Sequence, residues 1–155
     1  MPLKKELINL SMFISSLQEQ FKEALDAKKI EIEILVEDDL EVLADRYMLE
    51  SIVKNLINNA VKFTPEEGKI EIDAVAGKNN VLLSIRDTGI GIPEESLKDV
   101  FSVGANIHSS GTNNEKGSGF GLILCKELIR RNGGNIFVKS KPGEGSVFSI
   151  TLPHS

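Results

Sequence analysis

Asn55-Leu56-Ile57-Asn58-Asn59-Ala60-Val61-Lys62-Phe63-Thr64 carries two patterns at once. Leu56, Ile57 and Ala60, with Leu49 and Val53 upstream, point toward a core. Asn55, Asn59 and Lys62 fall at i, i+4 and i+7 and share a different stripe of the same helix. Asn is a mediocre helix former, because its amide competes for backbone groups, and Glu or Lys would fill a merely solvated face more favourably. A solvated face is the plain reading. The functional one is a row of amide oxygens and an ammonium facing a hard cation and phosphates. Mg²⁺ takes oxygen ligands and few protein contacts, so one Asn carbonyl with phosphate oxygens suits it.

The segments around this helix set its place in a fold. Asp45 offers an N-cap, and Pro65 with Gly68 stops the helix near Phe63. Upstream, Leu10, Phe13, Ile14, Leu17, Phe21 and Leu25 recur every three or four positions, which predicts a helix from Leu7 to Leu25. Ile30 to Ile34 alternates, and Val42-Leu43-Ala44 reads as a short strand. Downstream, Lys69 to Ala76 and Val81 to Arg86 are two strands joined through Gly77-Lys78-Asn79-Asn80. A short helix is expected at Glu94 to Phe101, another from about Gly119 to Arg131, closed by Gly133-Gly134. Asn135 to Ser140 and Ser146 to Leu152 form a final hairpin about Pro142-Gly143-Glu144-Gly145. Ser102 to Ser118 is polar, glycine-rich and aperiodic, and so long a loop in a compact domain is usually functional. The order predicts an α+β sandwich, helices on one face of a mixed sheet.

The 155 residues suit one domain, 1–155, and 41% hydrophobic with 26% charged residues is an ordinary soluble balance. A net charge of -5 argues against nucleic-acid binding, which calls for a basic face. Cys125 stands alone among Leu122, Leu124, Leu128 and Ile129, so it forms no disulfide in the chain and reads as a packed core thiol. No stretch approaches the roughly 18 apolar residues of a membrane span, and Met1 to Glu6 is not a signal peptide. A soluble, cytoplasmic location without membrane contact is expected.

Two further motifs carry chemistry. Asp87-Thr88-Gly89-Ile90-Gly91 ends a strand, where a carboxylate can accept from an amino group while the glycines let backbone approach a flat ligand. A glycine turn is the plain alternative. The Asp-Thr-Gly of aspartic proteases is disfavoured by Ile90 and by the helix content. Lys116-Gly117-Ser118-Gly119-Phe120-Gly121-Leu122 enters a helix whose free amides and dipole suit phosphate. It is not a P-loop, since Lys116 precedes the glycines, and the signatures of eukaryotic-type kinases are absent.

In order and spacing these pieces resemble the sensor histidine kinases. Asn55 to Thr64 is similar to their N box, Asp87 to Pro93 to their G1 box, and Gly117 to Leu122 to their G2 box. Val42 to Asp45, Gly133-Gly134 and Gly143-Glu144-Gly145-Ser146 match as well, so the resemblance runs from about Leu7 to Leu152. One departure is Ser102-Val103-Gly104-Ala105, where the family commonly has an aromatic residue. The resemblance implies a Bergerat-type ATP site of the superfamily that includes gyrase, the Hsp90 chaperone and MutL. The fold implied is a two-layer sandwich, with about five strands, three main helices on one face and a long ATP lid at Ser102 to Ser118.

By that likeness Asn59 would hold Mg²⁺ with Asn55 beside it, and Lys62 would reach the phosphates. Asp87 would accept from the adenine amino group, with Gly89 and Gly91 under the base. Gly117, Ser118, Gly119, Phe120, Gly121 and Leu122 would surround the phosphates, and Lys116 would touch them as the lid closes. Asn55, Lys62 and Lys116 are thus the catalytic candidates. The hydrolysing branches usually carry Glu where Asn55 stands, and an amide is no general base for water. His108 lies in the lid and His154 next to the end, so the acceptor histidine is expected on a separate dimerisation domain, with residues 1–27 including a helix connecting to it. The resemblance further implies a downstream response regulator. An anti-sigma-type serine kinase and a nucleotide-sensing scaffold are the alternatives.

Overall fold

The computed structural model describes residues 2–97, 100–101 and 121–154. In chain order the elements are β1 (Lys5–Asn9), α1 (Leu10–Ala27), β2 (Glu31–Leu35), β3 (Glu41–Asp45), α2 (Arg46–Phe63), β4 (Lys69–Ala76), β5 (Asn80–Asp87), α3 (Glu94–Leu97), α4 (Gly121–Arg131), β6 (Ile136–Lys141) and β7 (Gly145–Pro153). Five strands form one sheet in the order β2-β4-β5-β7-β6, and β1 pairs separately with β3. Only β2 and β4 run parallel; the other neighbours in that sheet are antiparallel.

Alternation along the strands decides which face is covered. On β5, Val81, Leu83 and Ile85 are buried, and they stand opposite Leu152, Ile150 and Phe148 of β7. Ile70 and Ile72 of β4 complete that face. Against it lie the stripes Leu10, Phe13, Ile14, Leu17, Phe21 and Leu25 of α1 and Leu49, Ile52, Val53, Leu56, Ile57 and Ala60 of α2, with Leu122, Cys125 and Ile129 of α4. Each fully buried Leu or Ile contributes about 1.5–3 kcal/mol relative to exposure, so this layer contact is the main stabilising term. The alternate residues, among them Glu71, Arg86 and Lys139, form the opposite, polar face.

The first helix differs from the sequence expectation. Leu7 to Asn9 belong to strand β1, paired with Leu43 to Glu41 of β3, and α1 starts at Leu10. Ile8 is buried while Leu7 is exposed, the strand alternation, and the Asn9 side chain caps α1 by accepting from Met12 N at 2.9 Å. Asp45 caps α2 as expected. It accepts from Met48 N at 3.1 Å and from Lys4 N at 2.9 Å, bonds that hold its carboxyl below the usual carboxylate range. Among the described residues, no helix is long and apolar enough to cross a membrane.

Candidate functional site

The end of β5 builds the first wall. Its last residue, Asp87, is only 7% exposed. Oδ1 accepts from Gly89 N at 2.8 Å and from Ser146 N on β7 at 3.3 Å. Burial pushes this carboxyl up to about 6, while the two amide bonds pull it partly back. Among the described residues Asp87 has no cationic partner, and an acid so buried is costly, which marks the position for a role outside folding.

The glycines after Asp87 have physical reasons. A Cβ on Gly89 would collide with the carbonyl oxygen of Phe63, the last residue of α2. Gly91 has φ +77, and a Cβ there would meet the Lys141 carbonyl as well. The loop is therefore pressed against α2 on one side and the β6–β7 turn on the other. Ile90 N donates to Phe63 O at 3.1 Å, and Gly143 N donates to Ile90 O at 2.8 Å. The first bond joins the Asp87 loop to the Asn55–Lys62 helix.

On α2 the three stripe residues have separate surroundings. The Asn55 side chain hydrogen-bonds the Cys125 sulfur on α4, and Asn59 is half-buried one turn on. Lys62 is 7% exposed, with its ammonium 4.9 Å from the centre of the Phe63 ring. Cys125 is a core thiol, pushed up to about 12 chiefly by burial, and not a nucleophile.

Helix α4 supplies the third wall through its direction. At its far end Asn132 accepts from Asp45 N at 2.7 Å and donates toward Met48 Sδ at 3.5 Å. Nearer its start, Cys125 Sγ lies 3.7 Å from Ile52 O. The two helices are antiparallel; one turn back from Cys125 leads to Gly121 on α4, and one turn on from Asn55, its neighbour across the contact, leads to Asn59 on α2. The amide end of α4 is thus directed toward the Asn59 end of α2, and Leu122 just inside it is buried. Lys116, Gly117, Ser118, Gly119, Phe120, the rest of the expected lid and His108 lie outside the described residues. His154 is bonded to Lys78 O at 3.0 Å. Among the described residues, no group of three His, Cys, Asp or Glu could hold a metal ion. A divalent ion here would draw on an amide oxygen and on oxygens of its ligand.

Sequence reading missed the support behind Asp87. Ser140 Oγ accepts from Ile92 N at 2.7 Å, donates to Gly145 O at 2.8 Å and lies 2.7 Å from Ser146 Oγ. These serines fasten the loop to the last hairpin. Gly145-Ser146 was visible as a motif, but its proximity to Asp87 depends on the β5–β7 register, which pairs Asp87 with Ser146.

A family described as "Histidine kinase-, DNA gyrase B-, and HSP90-like ATPase" matches residues 44–155. The adaptive-response sensory kinase SasA of Crocosphaera subtropica is 36% identical over 137 residues, 87% of this chain and 35% of that kinase. The chain spans about a third or less of the length of the curated relatives it matches. The nucleotide-free catalytic domain of histidine kinase ThkA superposes with a TM-score of 0.85 at 29% identity, covering 97% of this chain and 98% of that one. ThkA in complex with response regulator protein TrrA superposes at 0.81 with 28% identity, covering 99% and 42%.

Proposed function

The chain belongs to the histidine kinase-, DNA gyrase B-, and HSP90-like ATPase family, and we propose that it is the catalytic domain of a sensor histidine kinase. It holds Mg-ATP and gives the γ-phosphoryl group to a histidine on a separate dimerisation domain of the same parent protein. The observation that carries the nucleotide reading is Asp87, a buried acid bonded, among the described residues, to backbone amides alone and set in a glycine loop pressed on both sides. With Oδ1 so engaged, Oδ2 takes the adenine amino group, and Gly89 and Gly91, whose Cβ positions are taken by the Phe63 and Lys141 carbonyls rather than by a ligand, fix the loop beside which the base lies.

The phosphates then extend toward α2. Asn59 would contribute an amide oxygen to Mg²⁺, an ion content with few protein ligands when phosphate oxygens complete its shell. When bound, the ion neutralises phosphate charge. Lys62 would approach the phosphates from the end of the same helix. Lys116 and the amides of Gly117, Ser118, Gly119, Phe120, Gly121 and Leu122 would surround them at the start of α4, where amides and dipole favour an anion.

Asn55 decides between transfer and hydrolysis. Its amide is hydrogen-bonded to the Cys125 sulfur, and no amide accepts a proton from water near neutral pH. Phosphoryl transfer depends mainly on positioning and electrostatics, so such a site serves an incoming histidine better than water. Residues 1–27 would lead in from the dimerisation domain. The likeness to ThkA, solved with a response regulator, supports such a regulator as the downstream partner.

Calorimetry tests the base recognition. ATP and ADP should bind with micromolar to millimolar affinity, the range usual for substrates, and GTP much more weakly, because its 6-oxo group presents an acceptor to Asp87. Equal affinity for ATP and GTP, or no binding at millimolar ATP, refutes it.

A further inference from the structure

The last turn of a helix leaves four carbonyls without intrahelical partners, and in α2 they are satisfied from three directions. Ala60 O accepts from Thr64 N at 3.1 Å and from Thr64 Oγ1 at 2.6 Å. Phe63 O accepts from Ile90 N of the Asp87 loop at 3.1 Å. Val61 O and Lys62 O both accept from the ammonium of Lys28, at 2.8 and 3.3 Å. Lys28 is the C-cap of α1, 33 and 34 residues away in sequence, and is 5% exposed. A buried ammonium at a helix C-terminus meets the negative end of the helix dipole and binds it more tightly than a surface cation would.

The surroundings of Lys28 are unusually constrained. Glu67 N, from the turn after α2, donates to Lys28 O at 2.9 Å, and Glu31 N donates to Gly68 O at 3.0 Å. Lys29 and Glu67, with φ 54 and φ 67, are the non-glycine residues of positive φ among the described residues, and both lie in this junction. Left-handed backbone at such residues is unfavourable and persists where the surroundings over-determine it. The α1–β2 and α2–β4 turns are thus stitched together directly behind the helix end that carries Lys62.

We propose that Lys28 is a positioning residue of the nucleotide site: by clamping the Val61 and Lys62 carbonyls it fixes the last turn of α2 and so the place from which Lys62 meets the phosphates. This rests on the reading of Lys62 and Asp87 as nucleotide contacts. The Asp87 loop has an anchor of its own, the bond from Ile90 N to Phe63 O. Loss of Lys28 should therefore weaken the phosphate side of the site and spare the base side.

The test compares affinities for Mg-ATP and, by competition, adenosine in wild type, Lys28→Met and Val81→Ala, each at a temperature where melting curves show it folded. Val81→Ala cuts the core at the far end of β5, so it reports what a general loss of stability does. Lys28→Met should weaken Mg-ATP about fivefold, typical of coupling through a packed element, and leave adenosine within about twofold, while Val81→Ala changes neither. Should Lys28→Met not fold, Lys28→Gln, whose shorter amide can reach one carbonyl at most, should show a smaller loss with the same split. Unchanged Mg-ATP affinity, equal losses for the two ligands, or the same pattern in Val81→Ala overturns the proposal. A wild type that binds neither ligand refutes the nucleotide site itself.

Discussion

In the proposed reading Asp87 is a single residue that trades stability for binding. Burial raises its carboxyl to about 6 in the folded chain, against an ordinary value near 4. The folded state therefore holds its proton more tightly, and this contribution to stability is full at low pH and lost as pH rises toward 6. At neutral pH the ionised group is a net cost. Asp87→Asn should remove that dependence: the stability difference between variant and wild type should shift in the variant's favour from pH 4 to pH 6. The same change should weaken ATP by about 1–3 kcal/mol, because the amide brings its own donors and lacks the charge. ATP affinity of the wild type should fall below pH 6 as the acceptor is protonated. Chemical denaturation across that range and calorimetry at each pH check both. Asn59→Ala should weaken Mg-ATP more than metal-free ATP, and equal weakening would make Asn59 structural. Lys29→Gly should raise stability by about 1 kcal/mol, since glycine adopts φ 54 without a Cβ penalty.

Among elements, the antiparallel pair α2 and α4 organises the site, and Asn132 sets its alignment. Asn132 is fully buried, accepts from Asp45 N at 2.7 Å and donates to Leu128 O at 2.8 Å. Asn132→Leu should cost about 1–3 kcal/mol, because it leaves the buried Asp45 N–H without its acceptor, while the Leu128 carbonyl keeps the backbone N–H of residue 132. Urea unfolding should show this as a lower midpoint with an unchanged slope. The Asp45 cap, the span of α2 and the strands β4 and β5 were legible from period and punctuation alone. The start of α1 was not. Leu7 and Leu10 are three apart and extend the helical stripe, but the pairing of β1 with β3 claims Leu7 for a strand, and pairing is a long-range fact. The site was legible where chemistry clusters in sequence, as at Asn55 to Lys62 and Asp87 to Gly91. Its supports at Ser140, Ser146 and Lys28 are ordinary residues in ordinary contexts, and only the register of strands and the meeting of two turns gives them work.

At the scale of the whole molecule, one layer of helices over a mixed sheet leaves the candidate site at one end of the central strand, where the end of β5, the end of α2 and the start of α4 converge. In the proposed reading the design supplies a carboxylate for a base, an amide oxygen and ammonium for phosphates, and no carboxylate in place of Asn55 to activate water. Labelled ATP incubated with this chain, alone and with the proposed histidine-bearing dimerisation domain of its parent, measures that division of labour. Alone, the chain should remain unlabelled and release phosphate slowly; with the added domain, acid-labile phosphohistidine should accumulate on that domain. Strong labelling of the chain by itself, brisk hydrolysis, or no transfer to the added histidine would contradict it.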